Sequence, residues 1–159
     1  MLLSIYLNDH LAGATLGREL SRRAAGSNRG SSYGPFLENL AREVHEDRET
    51  LLEVMRTLDV GVDRLKVAGA WGAEKLGRLK PNGRLTGYSP LSRVVELEGL
   101  TLGVRGKLAM WRALELVQSE HPALHGFDFA ALAARAERQQ EGLEEQRRAA
   151  CAEAFRAES

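Results

Sequence analysis

The chain carries long apolar stripes of helical period, separated by short segments rich in glycine and proline. Apolar residues recur every three to four positions, and no segment shows the strict alternation of a half-buried strand. Long helices span about 35–45 Å at 1.5 Å per residue, so several of them favour a bundle. The pattern predicts five helices, the third being the shortest, over about 2–25, 36–58, 62–79, 90–118 and 128 to near the C-terminus.

Local start and stop signals support these boundaries. The segment 26–35 is rich in glycine and serine and separates the first two helices. Gly61 ends the second helix. Ser89 followed by Pro90 is the pattern of an N-cap and a first-turn proline, so the fourth helix begins there. Pro122 ends it.

Length and composition predict a single domain over residues 1–159 with one core. Aromatic residues make up only 6%, while alanine, leucine, glutamate and arginine abound, which is typical of helices. The single Cys151 excludes an intramolecular disulfide and fits a reducing cytosol. No apolar run approaches the roughly 20 residues of a membrane span, and Asp9 and His10 interrupt the N-terminus too early for a signal peptide. We therefore expect a cytoplasmic protein with no membrane partner.

Charge is balanced overall but unevenly distributed. Residues 56–112 carry an excess of bases, whereas 38–55 and 113–159 carry an excess of acids. One interpretation is that acidic helices pack beside a basic one. The other is that the basic region binds an anionic partner. The neutral total argues against general nucleic-acid binding.

Several polar side chains fall within the apolar stripes when each helix is wound at about 100° per residue. Buried ions are costly unless they are paired, so inward acids and bases predict mutual neutralisation. We expect a closed ion-pair and hydrogen-bond network at the bundle centre, with no bound metal and no cofactor. Its candidate members are Asp9, His10, Asp47, Glu98, Arg105, Gln140 and Arg147.

Two alternatives remain open for these residues. Asp9, His10 and Asp47 offer the ligand types of a single metal ion. Alternatively, some of the polar groups lie at the ends of the bundle and are solvated. A dinuclear site is disfavoured, because it needs about four acids and two histidines with no competing cation nearby.

A second candidate site lies on the third helix. Trp71 is opposite the apolar face of that helix, with Arg64, Lys75 and Arg78 nearby. An outward tryptophan among cations predicts a partner or ligand surface, such as a dimer contact. The alternative is that the following loop or another helix covers Trp71. Trp111, in contrast, is predicted to belong to the core.

Three glycines lie along one side of the fourth helix, at positions 99, 103 and 106. Each lowers helix propensity by up to ~1 kcal/mol relative to alanine. We therefore predict that a neighbouring backbone approaches closely there, the alternative being that the glycines are tolerated without a packing role.

Five short motifs along the chain are Leu7-Asn-Asp-His-Leu-Ala-Gly13, Glu46-Asp-Arg48, Ser89-Pro-Leu91, Glu96-Leu-Glu98 and Gly103-Val-Arg-Gly-Lys107. They resemble an uncharacterised bacterial group within the ferritin-like helical superfamily. The resemblance covers most of the chain and implies a ferritin-like four-helix bundle, with the short helix in the connection between the second and fourth. Two-metal members of such bundles use Glu-x-x-His pairs, and this chain contains none, which puts oxidase, ferroxidase and iron-storage functions in doubt.

These features predict an interaction or scaffold protein that is not catalytic and associates with itself as a dimer through the third helix or the basic surface beside it. The alternative hypothesis is a metal-binding ferritin-like enzyme or oxidase. Its ligands would be the inward carboxylates and one histidine, namely Asp9, His10, Asp47 and Glu98.

Overall fold

The computed structural model describes residues 2–69 and 87–156, and within these ranges the chain is all-helical, with no strand. None of the helices in the same ranges has the length and hydropathy needed to cross a membrane. Two single 3-10 turns, Gln118–Glu120 and Pro122–Leu124, precede the last helix. The helices are α1 (Leu2–Ser27), α2 (Gly34–Thr57), α3 (helical residues 64–69), α4 (Pro90–Val117) and α5 (Phe129–Ala154).

The start of α4 follows the predicted capping pattern. Ser89 Oγ accepts a hydrogen bond from the Ser92 backbone N–H at 3.0 Å, and the Ser92 side chain in turn accepts from the Ser89 backbone. Pro90 occupies the first turn, where its missing N–H is not needed. The start of α5 is capped in a similar way by Asp128, whose carboxylate accepts from the Ala131 backbone N–H at 2.9 Å.

Side-chain pairs define the direction of each helix. Arg23 on α1 pairs with Glu96 near the start of α4, so these two helices are antiparallel. The Arg93 guanidinium lies 4.4 Å from the Tyr33 ring, just before α2, while Asp47 further along α2 pairs with Lys107 further along α4. Helices α2 and α4 therefore run in the same direction.

The connection between α2 and α4 is anchored at opposite ends of α1. At one end the Asn8 side chain donates to the Gly61 carbonyl at 3.0 Å and accepts from the Asp63 N–H at 2.6 Å. At the other end Asn28 Nδ2 donates to the Tyr88 hydroxyl at 2.8 Å. Twenty helical positions separate the two asparagines, so the connection links points about 30 Å apart.

The core is built from leucines with a small aromatic cluster near one end. The Trp111 and Phe129 rings stack with centroids 6.1 Å apart, and Phe127 stacks on Phe129 at 5.7 Å. Burying a side chain of this size stabilises the fold by about 1.5–3 kcal/mol. The largest fully buried side chains are Trp111, Phe129, Leu7, Leu11, Leu37, Leu40, Leu51, Met55, Leu97, Leu114, Leu124 and Leu143.

The inward face of α4 differs from the prediction. The helical period places Leu102 and Leu116 on the same stripe as the predicted inward residues Glu98 and Arg105, which predicts that both leucines face the core. Their side chains are instead 72% and 80% exposed. Buried positions such as Leu97, Val104 and Trp111 define the inward face instead. Since α4 is apolar on nearly every side, the period of its apolar residues could not select the buried face.

Of the three α4 glycines only Gly99 is closely packed, and its neighbour is a side chain rather than the predicted backbone. A Cβ atom at Gly99 would lie 3.1 Å from the Leu20 Cδ2 methyl group. At Gly103 and Gly106, no atom of the described residues lies within 4 Å of such a Cβ. The expectation was therefore wrong for these two glycines, because they face an open space rather than a neighbouring backbone.

Candidate functional site

A cavity of about 200 Å³ lies between α1, α2 and α4. Its walls are mainly apolar and include the side chains of Val44, Leu51 and Leu100. Gly13 and Gly103 are both exposed, so the cavity opens to the surface between α1 and α4 in the described part of the chain. Glycines contribute much of the lining, from α1 (Gly13, Gly17) and from α4 (Gly99, Gly103, Gly106).

Charged groups lie at one end of this cavity. The Asp47 carboxylate is only 3% exposed. Its Oδ2 accepts from Lys107 Nζ at 2.5 Å, and its Oδ1 accepts from Arg135 Nη2. Each oxygen of the carboxylate is therefore paired with a different cation, one from α4 and one from α5.

Gln139 extends this arrangement into a network across three helices. Its Oε1 accepts from Lys107 Nζ at 2.5 Å, and its Nε2 donates to Glu43 Oε2 at 2.8 Å. Arg135 also donates to Glu46 at 3.0 Å. The side chains thus join α2, α4 and α5 through charge-assisted hydrogen bonds, which are stronger than neutral ones.

Burial lowers the pKa of the Lys107 amine, since removal from water disfavours the charged form. The nearby Arg135 guanidinium lowers it further, whereas Asp47 and Glu43 act in the opposite direction. An ammonium has three N–H donors. Two of them are used by Asp47 and Gln139, and the third has no acceptor in residues 2–69 and 87–156.

Trp111 lines the same cavity one helical turn after Lys107. Its side chain is fully buried, and its indole Nε1 has no hydrogen-bond partner within the described ranges. Indole nitrogen is only a donor, so nothing but an acceptor can satisfy it. A buried donor without a partner costs about 1–3 kcal/mol.

Asp9 and His10 on α1 also line the cavity. Asp9 is 61% exposed and pairs with Lys66 at 2.8 Å. His10 is half-buried, with its ring edge-on to Tyr6 at a centroid distance of 4.5 Å. Burial lowers the His10 pKa below its usual value of about 6.5, and the Asp9 charge only partly opposes this effect.

We expect the stability of the protein to fall on acidification in a way that His10→Gln removes. The unfolded state binds a proton at about pH 6.5, but folded His10 binds one only at lower pH. Between these two pH values the unfolded state carries more protons, so stability rises with pH. Urea unfolding of both proteins from pH 7 down to pH 5 measures the difference in slope. Equal slopes would show that His10 is as well solvated in the folded state as in the unfolded one.

The predicted inward network is only partly observed. Asp47 is buried as expected, but Asp9, Glu98 and Arg105 are exposed, so their inward placement was wrong. Gln140 and Arg147 are half-buried at the edge of the stripe. Arg147 pairs with Glu144 at 2.8 Å and lies 3.8 Å from Glu98, near the surface rather than at the centre.

The cations that neutralise Asp47 are Lys107 and Arg135, and the sequence interpretation assigned neither of them to the inward network. The interpretation placed Leu102 and Arg105 together on the inward face of α4. It therefore assigned the wrong side of this helix to the core. A usable signal was present, since Lys107 shares a face with Val104 and Trp111, which are three and four positions away. A cation on that face is the natural partner for an acid buried on α2.

The alternative of a metal ion finds little support in the geometry. Both Asp47 oxygens are already paired with cations, and Asp9 is paired with Lys66. Within residues 2–69 and 87–156, no group of three or more His, Cys, Asp or Glu side chains could hold a metal ion. Glu98 is 52% exposed and forms its ion pair with Arg147.

A second buried network, centred on Glu96, was not predicted. Glu96 accepts from Arg23 Nε and from the Tyr88 hydroxyl, each at 2.7 Å. Asn28 links this pair to Arg93, which donates to the Asn28 side chain at 2.7 Å. Burial raises the Tyr88 pKa far above its usual value. The hydroxyl therefore stays protonated, and the network holds the end of the connection against α1 and α4.

The second predicted site lies largely outside the described residues. Trp71, Lys75 and Arg78 fall in residues 70–86, while Arg64 is exposed at the start of α3. The predicted surface around Trp71 therefore stays a prediction.

Comparisons with protein-family models, with curated proteins and with solved structures found no match to this chain. The functional argument therefore rests on the cavity and its polar end. Of the arrangements described above, this is the one that combines an open apolar space with hydrogen-bond donors lacking an acceptor in the described ranges.

Proposed function

We propose that the protein binds a small, mainly apolar molecule in the cavity between α1, α2 and α4. The observation that carries this proposal is the cavity itself, a space of about 200 Å³ with apolar walls and a charged end. Ligand sites are typically concave and mostly apolar, with a few polar groups that fix orientation. No catalytic step is proposed, because each oxygen of the Asp47 carboxylate is already paired with a cation.

The size of the cavity suits a ligand of one ring or a short chain. An engineered cavity of about 150 Å³ binds benzene, so a space slightly larger accommodates roughly ten non-hydrogen atoms. The apolar area that such a ligand removes from water contributes about 25 cal/mol per Å². Glycine lining widens the space, because no side chain projects from Gly103 or Gly106.

A pair of glycine substitutions tests the proposal. Gly106→Leu places a side chain in the cavity wall, whereas Gly26→Leu makes the same change on α1 at an exposed position that does not line the cavity. We expect benzene and toluene to raise the melting temperature of the wild type and of Gly26→Leu, since a ligand that binds only the folded state stabilises it. Gly106→Leu should lose this response. Equal responses in all three proteins would rule out the cavity as the binding site.

A second candidate function is self-association through the outer face of α4. Val95, Leu102 and Leu116 are 47%, 72% and 80% exposed, and Ala109 completes a row with a spacing of seven residues. A seven-residue apolar repeat is the pattern by which one helix packs along another. A second copy of this chain, offering the same row, is the partner that this spacing fits.

Sedimentation equilibrium tests this second candidate. We expect the wild type to dimerise, and Leu102→Glu to be monomeric because it places a charge within the apolar row. Thr101→Glu is the matched control, since Thr101 precedes Leu102 and lies outside the row. A wild type that stays monomeric at about 100 µM would exclude a dimer with a Kd of roughly that value or tighter.

We further propose that the chain has the ferritin-like arrangement that its motifs resemble. The supporting observation is that α2 and α4 run in the same direction and are joined by one long connection, as in ferritin-like bundles. An experimental structure with another order of the four long helices would refute the assignment. The arrangement implies no iron chemistry here, since the Glu-x-x-His pairs are absent from the sequence.

A further inference from the structure

The unused hydrogen-bonding groups that line the cavity on α4 are both donors. Lys107 has a third N–H without an acceptor, and the Trp111 indole N–H has none, within residues 2–69 and 87–156. The two residues are four positions apart, so they lie on the same side of α4, with Cβ atoms about 5–6 Å apart. Both line the cavity.

We infer that the ligand is a small carboxylate with an apolar body, whose two oxygens accept from Lys107 and Trp111. This inference rests on the proposed ligand-binding function and specifies its chemistry. A carboxylate has two acceptor oxygens, and its bond with an ammonium is charge-assisted and strong. The apolar body occupies the space beside Gly103 and Gly106.

The charges around Lys107 and Trp111 favour a ligand with acceptor atoms over a ligand with donor groups. Asp47 is already neutralised by two cations, so it offers little attraction to a positively charged ligand. Asp47 and Glu43 only partly compensate for the burial of Lys107, and burial still lowers the pKa of its amine. An additional anion beside Nζ would favour the charged form of the amine, as opposite charges within a few ångströms do.

Fully buried Trp111 gives the inference its second, independent support. Most buried polar groups in folded proteins have a hydrogen-bond partner, so an indole N–H without one is unusual. Trp111 lines the same cavity as Lys107, and its Nε1 atom is itself buried. A ligand oxygen would satisfy a donor that the described protein atoms leave unpaired.

Binding of a matched pair of probes tests the inference. Benzoate and isopropylbenzene have nearly the same size and shape, but only benzoate has acceptor oxygens. Titrations followed by ¹H–¹⁵N NMR would monitor the Trp111 indole resonance, assigned by its loss in Trp111→Phe. We expect benzoate to bind at least ten-fold more tightly than isopropylbenzene and to shift this resonance downfield.

Three variants separate the roles of the two donors. We expect Lys107→Met to reduce the ten-fold preference for benzoate to less than two-fold. Trp111→Phe keeps an aromatic ring but lacks the donor, and it should reduce the preference at least three-fold even if Lys107→Met fails to fold. Arg112→Met removes a neighbouring cation that is 60% exposed and does not line the cavity, so it should keep the full preference.

The outcomes distinguish this inference from the proposed function. Equal binding of both probes, lost in Gly106→Leu, would overturn the carboxylate inference and leave the proposed function intact. No binding of either probe would overturn both. Nuclear Overhauser contacts between the cavity and residues 70–86 that neither probe displaces would also overturn both, because the chain itself would then fill the space.

Discussion

Replacing Asp47 by alanine is expected to lower the free energy of unfolding by about 3–5 kcal/mol. The carboxylate is 3% exposed and is the shared partner of Lys107 and Arg135. Among the described residues, its removal leaves the largely buried Lys107 ammonium with Gln139 as its remaining partner. An uncompensated buried charge is far more costly than a missing surface pair. Urea unfolding followed by circular dichroism at constant pH measures the change.

Two further variants test the reason for this loss. Asp9→Ala removes a carboxylate that is 61% exposed and should leave stability nearly unchanged, since exposed pairs contribute little. The double variant Asp47→Leu with Lys107→Met replaces the pair by apolar groups and should recover most of the loss. If Asp47→Ala alone costs less than about 1 kcal/mol, then Lys107 and Arg135 reach water without it and the network does not stabilise the fold.

Replacing Trp111 by alanine is expected to cost about 3–5 kcal/mol through the packing it removes. The side chain is fully buried and stacks on Phe129 at 6.1 Å. A space left by such a large side chain collapses only in part, so the side chains around it pack less closely. Thermal and urea unfolding of the variant measure the cost.

The matched aromatic control is Phe155→Ala, at the residue that follows α5. Its side chain is 65% exposed, so the expected change is within about 0.5 kcal/mol. Trp111→Phe should lie between these extremes, because it keeps the stacking but not the full volume. A loss from Trp111→Ala below about 1.5 kcal/mol would show that the region beside the cavity is loosely packed.

The helices could be predicted from the sequence because their signals are local. Ser89 and Pro90 specify the start of α4 by capping chemistry, and Asp128 does the same for α5. The observed ends of α1, α2 and α4 and the start of α5 lie within about two residues of the predicted ones, which is the usual uncertainty of helix boundaries. The burial of Asp47 could also be predicted, since it lies within a clear apolar stripe on α2.

The partners of Asp47 could not be predicted with the same reasoning. On α4, apolar residues occur on nearly every side of the helix. A stripe through Leu102 and Leu116 therefore fitted the helical period as well as the stripe that is buried. The choice between faces is made by packing against α1 and α5, which no local pattern contains. Lysine and arginine also reach buried acids through long side chains, so Lys107 and Arg135 reach Asp47 from half-buried positions.

The cavity lies where two helical hairpins meet. Helix α1 packs chiefly on α2, and α4 chiefly on α5, while a narrower interface joins α1 to α4. Each hairpin forms from residue pairs that are close in the chain, and such pairs form quickly during folding. Separation of the hairpins along this line would widen the opening that the cavity already has between α1 and α4. A molecule could thus enter or leave during a partial opening, with every helix intact, and amide exchange along α1 and α4 would report how often this occurs.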